Sequence, residues 1–181
     1  MFYDFEVTKY NWMVVCIDPA KDEPYKIVDN KDQLNEVYEQ YKEDIWDGFN
    51  SRHYDQYILK TILCGLSAWD CNKWIIRDKK PGWAFSNLFK NIFLINYDVM
   101  PLNSSLKQLE GFQGHSIKET SVPFDICRYL TPEEIQEELE YCENDVMEAL
   151  NVWLENINEF DAIMELIRSY KLPLECVSMT K

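Results

Sequence analysis

The sequence predicts an α/β protein: a mixed sheet that opens as an antiparallel meander, continues with parallel strands and is flanked by helices. Three observations carry this prediction. Three short strand-like runs lie close together at the start of the chain, separated only by turns. Beyond them, apolar runs alternate with stretches of helical periodicity. A composition that is 46% hydrophobic and 14% aromatic over 181 residues supplies a core of ordinary single-domain size.

The elements follow in order. "FYDFEVT", "WMVVCID" and "YKIVD" read as strands, with turn-like "TKYN" and "DPAKDEP" between them. Connections this short join antiparallel neighbours. In "NKDQLNEVYEQYKEDI", Leu34, Val37, Tyr38 and Tyr41 repeat at helical spacing, and Asn30 or Asp32 can cap the first turn. "DIWDGFN" reads as a short strand, and "YDQYILKTILCGL" as a helix stopped by Gly65. From Ser67 to Lys90, aromatics and a "KKPG" turn suggest short helices and loops over the core. "NIFLINYDVM" predicts a buried strand ended by Pro101, and "NSSLKQLEGF" a capped helix ended by Gly111. "SIKETSVPFD" looks extended and irregular. A long helix then begins at Thr131, with Pro132 in the first helical position and Glu134 completing a capping box. A last helix is expected from Asn158 to Tyr170.

Charge and cysteine usage narrow the function. Against 32 acidic residues stand 18 basic ones, a net charge of −14. That sign is wrong for a surface that grips nucleic acid all over, so metal ions or another domain would have to supply positive charge. The six cysteines, at 16, 64, 71, 127, 142 and 176, form no C-x-x-C pair, and His53 and His115 lie far apart. A structural zinc site is thus unsupported, and reduced, mostly buried thiols are expected. No run approaches the roughly 18–20 apolar residues of a membrane span. The first residues carry acids and not a basic leader, so a cytoplasmic location is expected.

Three short patterns carry candidate chemistry, and each has a bland reading of its own. Asp4 and Glu6 share one face of the first strand, with Phe5 on the other. They are either a solvated face or a pair of cation ligands. In "GFNSRHYDQ", Asn50 ends a strand, Tyr54 follows, and Asp55 sits at a helix start, where an acid also favours the helix dipole. In "EYCENDVMEA", Tyr141 and Asp145 lie one turn apart on the long helix. Val146, Ala149, Leu150 and Trp153 mark its apolar side, which puts Asp145 at the core margin, where it needs a partner. The Glu-rich stretch before Tyr141 reads as a solvated helix surface.

Taken in order, D-x-E, N-x-x-x-[FY]-D and Y-x-x-x-D resemble the three motifs of the four-carboxylate (DEDD-type), tyrosine-subclass 3′→5′ exonucleases of the ribonuclease-H-like superfamily. The stretches "GFNSRHYDQYILK", "SLKQLEGF" and "SIKETSVPFD" look like the amino-terminal exonuclease region of bacteriophage- or prophage-type DNA polymerases. The resemblance covers nearly the whole chain. It implies a single domain over residues 1–181 that proofreads single-stranded DNA 3′ ends in the cytoplasm of a bacterial host, joined to a polymerase domain in the same chain or as a partner. It implies two divalent cations, Mg²⁺ or Mn²⁺, held by Asp4, Glu6, Asp55 and Asp145, with Asp4 bridging and Asp55 reaching the second ion mostly through water. All-oxygen ligands suit such hard ions, and a metal pair stabilises both attacking and leaving oxygens at phosphorus. Tyr141 would orient the attacking water, since a phenol with a pKa of about 10 is a poor base at neutral pH. Phe5, Asn50, Arg52 and Tyr54 are the substrate-binding candidates, Arg52 for a phosphate and the aromatics against terminal bases. A free-standing enzyme acting on RNA or short oligonucleotides and a catalytically silent binding module of the same fold are the alternatives.

Overall fold

In the computed structural model a five-stranded mixed sheet runs in the order β3-β2-β1-β4-β5. The structure describes residues 1–101, 105–113, 120–123 and 125–179. The meander forms as predicted: β1 (Phe2–Val7) pairs antiparallel with β2 (Trp12–Ile17), and β2 with β3 (Tyr25–Val28). On the other side β1 meets β4 (Ile45–Gly48) in parallel, and β4 meets β5 (Ile95–Asp98) in parallel. The β1–β4 register begins at Phe2 opposite Asp47. β4 ends one residue later at Gly48, so the far half of β1 runs past it on that edge.

Helices cover both faces. α1 (Lys31–Tyr41) and α2 (Asp55–Leu63) enclose one core, in which Tyr3, Phe5 and Val7 pack with Leu34, Trp46 and Ile58. α5 (Pro132–Glu155) and α6 (Ile157–Tyr170) enclose the other, where Phe2, Met13 and Val15 meet Val146, Val152 and Ile163. Burying each of these side chains contributes roughly 1.5–3 kcal/mol, so the two cores fix the sheet between its layers. Strand alternation puts Asp4 and Glu6 on the Phe2 side, toward α5. The phase of α5 is set at its first turn. The Thr131 side chain accepts from the Glu134 amide at 3.3 Å, the Glu134 carboxylate accepts from the Thr131 amide at 2.8 Å, and Arg128 donates twice to Glu134 at 2.6 Å.

Between α2 and β5 the chain forms α3 (Ala68–Asn72), a π-helical turn over Lys73–Arg77 and two 3₁₀ turns, Gly82–Ala84 and Asn87–Asn91. α2 ends at Gly65, whose φ of +72° is the left-handed position that stops it. α4 (Leu106–Gln113) runs past Gly111, contrary to the expected stop. An interior glycine costs a helix only about 1 kcal/mol, and Leu106 and Leu109 anchor this one on the second core. The strand predicted in "NIFLINYDVM" is shorter, four residues, and stops before Pro101. His115, residues 116–119 and 124 of the run read as extended, and the last two residues lie outside the described residues. All six cysteines are free; Cys16, Cys71 and Cys142 are buried and Cys127 is exposed. Among the described residues no helix is long and apolar enough to cross a membrane.

One glycine fixes the exit of β4. A Cβ on Gly48 would lie 2.9 Å from the Tyr3 carbonyl and 2.8 Å from the Ser51 Cβ. Gly48→Ala is therefore expected to lower stability by about 1–3 kcal/mol, read as a denaturant midpoint shift without change of slope.

Candidate metal centre

The far half of β1 is where the acids gather. Asp4, Glu6 and Asp145 each offer a carboxylate oxygen, and the three oxygens lie within 4.8 Å of one another. Two come from alternate positions of β1 and the third from α5. Asp55, at the first position of α2, lies against the same strand, and its Oδ1 accepts the Phe5 amide at 3.2 Å. Because β4 ends at Gly48, it does not reach the level of that amide, and the carboxylate accepts it instead. A cavity of about 660 Å³ opens over the group, and Asp4, Glu6, Asp55, Tyr141 and Asp145 all line it. The structure thus brings together all five residues that the sequence places in the catalytic set.

Buried hydrogen bonds hold the loop that delivers Asp55. Asp98, at the end of β5, accepts the amides of Asn50 (2.9 Å), Arg52 (3.1 Å) and Met100 (3.0 Å). Beneath it, the Tyr3 hydroxyl donates to Asn96, and Asn96 donates to the Ser51 hydroxyl. Asn50 turns the chain at φ +59°, a conformation asparagine tolerates better than most residues. Its position lines the cavity, as does Tyr54, whose hydroxyl donates to Asn72 at 3.0 Å.

The field at this site is that of crowded carboxylates. Burial first, and then the charges of Asp55, Glu6 and Asp145, push Asp4 well above the usual carboxylate range. Glu6 rises for the same leading reason, with Glu138 its strongest charged neighbour and Lys107 acting against the rise. Burial pushes Asp55 up to about 7, opposed by its backbone hydrogen bonds. Without a compensating charge these groups favour protons; a divalent cation is the other way to relieve them. Three carboxylates and no thiolate or imidazole fit a hard ion such as Mg²⁺ or Mn²⁺. Tyr141 donates to the Asp145 carboxylate, and burial followed by that charge pushes its phenol further up.

Other substrate-binding candidates lie elsewhere or act differently. The Arg52 guanidinium donates to the Ser178 carbonyl, and Arg52 lines a separate cavity and not the acid one. The Phe5 ring is only 3% exposed and packs in the first core, so Phe5 serves the site mainly through its backbone amide.

Three neighbours escaped the sequence reading. Lys107 of α4 lines the cavity, with its ammonium 5.6 Å from the centroid of the Tyr141 ring. Cys142 is buried, its Sγ 3.2 Å from the Asp4 carbonyl and 3.6 Å from the Asp4 Oδ2. Glu138 corrects the reading of the Glu-rich stretch as solvated surface. It is 4% exposed, accepts the Thr120 hydroxyl and adds its charge beside Glu6. The i, i+4 relation of Glu138 to Cys142, itself on the buried side, was the available signal.

Comparison of the chain with family models, with curated proteins and with solved structures finds no match. The fold and the site define an α/β protein with a mixed sheet and a carboxylate cluster able to hold a metal ion.

Proposed function

We propose that this chain is a metal-dependent 3′→5′ exonuclease of ribonuclease-H-like fold. It trims single-stranded DNA ends as the proofreading domain of a bacteriophage- or prophage-type polymerase. The observation that carries the reading is the convergence of Asp4, Glu6, Asp55, Tyr141 and Asp145, the residues of three separate motifs, on one cavity. Asp4, Glu6 and Asp145 would hold one cation, and Asp55 with Asp4 a second. When bound, such ions neutralise phosphate charge and acidify water for attack at phosphorus. The Asp98-capped loop fixes Asp55, and the Tyr141 phenol, its proton held toward Asp145, positions a water without taking its proton. Lys107 adds positive charge at the cavity for the substrate's phosphate.

The test is digestion of a 3′-labelled single strand with Mg²⁺ or Mn²⁺ and with EDTA. Stepwise release of mononucleotides from the 3′ end is expected with metal only. Failure to release them with either ion, or release that persists in EDTA, sinks the reading. Tyr141→Phe is expected to slow release by about 10- to 100-fold, a smaller loss than removal of an acid, because the orienting hydroxyl goes and the ion ligands stay. A Tyr141→Phe enzyme as inactive as the acid variants at saturating Mg²⁺ rejects the orienting role.

A further inference from the structure

The expected shortage of positive surface is partly made up by the chain itself. Two adjoining cavities, of about 550 and 300 Å³, share Tyr57 and Trp83 in their walls. Arg52, Lys60, Lys79, Lys80 and Lys90 line them, five of the 18 basic residues of the chain. Among the described residues neither cavity is lined by an Asp or Glu, although acids outnumber bases nearly two to one overall. Between the cations Trp83 stands 69% exposed, an indole that the protein's own packing leaves in solvent.

The loop that presents these groups is firmly held. The Trp74 indole donates to the Pro81 carbonyl at 3.0 Å, and the Lys80 amide donates to the Trp74 carbonyl at 3.0 Å. The Lys80 ammonium sits 4.0 Å from the Trp74 ring centroid and 3.7 Å from Asp78. Gly82 lies so close to Tyr57 that a Cβ would come within 2.1 Å of the ring. Trp83 follows directly in the chain. The patch and the acid cavity draw wall residues from the same two stretches of chain. Asn50 and Tyr54 line the acid side of the strand-to-helix connection, and Arg52, His53 and Tyr57 the basic side. In the π-helical turn, Ile76 lines the first and Ile75 the second.

We propose that this basic, Trp83-centred groove is a binding track for single-stranded nucleic acid, holding the strand upstream of the 3′ end that enters the acid cavity. The assignment of an upstream segment rests on the exonuclease reading; the binding surface does not. Lysines and an arginine spaced around an exposed aromatic ring suit a backbone with splayed bases, since cations meet phosphates and the indole stacks on a base of any sequence. An acidic protein partner would use the charges without needing the ring.

The experiment is fluorescence anisotropy of a labelled oligothymidylate on the full chain at low salt in EDTA, where no hydrolysis intervenes. Trp83→Ala and the double variant Lys79→Glu/Lys90→Glu change exposed side chains, and their melting temperatures check folding. Each is expected to weaken binding of a long oligomer by about tenfold or more, and the lysine variant to flatten the salt dependence as well. In the wild type, affinity should rise as the oligomer is lengthened past the reach of the acid cavity, and in the variants it should not. Binding by both variants equal to wild type overturns the proposal even if Mg²⁺-dependent cleavage is found. Loss on charge reversal with no effect of Trp83→Ala overturns it in favour of a general anion or an acidic partner. Variant-sensitive binding by a chain that cleaves nothing supports the track and rejects the nuclease reading alone.

Discussion

Asp4→Ala is expected to abolish 3′-end hydrolysis, with a loss on the order of 10³-fold or more. Asp4 is the acid on which the other three act together: its carboxylate feels Asp55, Glu6 and Asp145. Removing it deprives both proposed cation positions of a shared ligand. Charge stabilisation by bound metal is worth several kcal/mol at the transition state, and each 1.36 kcal/mol is tenfold in rate. The measurement is single-turnover release from a labelled strand at saturating Mg²⁺, beside a thermal melt. The chain should remain folded, because the substitution removes a crowded charge and not a core side chain. Asp4→Ala retaining more than about a tenth of the wild-type rate would show that the cluster is not the reacting centre.

The second large effect is on stability. Asp4 and Glu6 are raised above the carboxylate range, and Asp55 to about 7, all chiefly by burial. A carboxyl raised in the folded state binds its proton more tightly there than in the unfolded chain. Its contribution is complete below the unfolded value of about 4 and is lost as pH rises through the folded value. The metal-free protein is therefore expected to lose stability as pH rises from about 4, the Asp55 share falling between about pH 4 and 7. Millimolar Mg²⁺ should restore most of that loss at the upper end, where the carboxylates are ionised. Asp47, buried and also raised to about 7, contributes in the same direction from outside the acid cavity. Asp47→Asn should shrink the pH effect and leave the Mg²⁺ response intact. A metal-free melting temperature that climbs across this window contradicts the crowding described here.

Much of the fold was legible because its signals are local. The capping box at Thr131, the alternation of β1 and the left-handed stop at Gly65 each depend on a few adjacent residues, and each forms as read. The acid positions were legible from motif order, although nothing in that order shows that Asp55 also accepts a strand amide. What the sequence hid is relational. Arg52 is taken out of the acid cavity by a contact with the Ser178 carbonyl, 126 residues away in the chain. Glu138 is buried because the Thr120 segment folds over it, a contact between residues 18 apart. Gly111 stays helical because Leu106 and Leu109, earlier in α4, find the second core. Lys107 reaches Tyr141 only through the docking of α4 on α5, which periodicity does not encode.

The thiol contact between Cys142 and Asp4 spans 138 residues. A hairpin such as β1–β2 closes a short loop and can form in microseconds, whereas docking of α5 on β1 must close most of the chain. During synthesis the meander can emerge and pair long before Asp145 has been made. The acid cluster is consequently a late product of folding: truncation anywhere before α5 leaves Asp4 and Glu6 on the sheet without the Asp145 carboxylate.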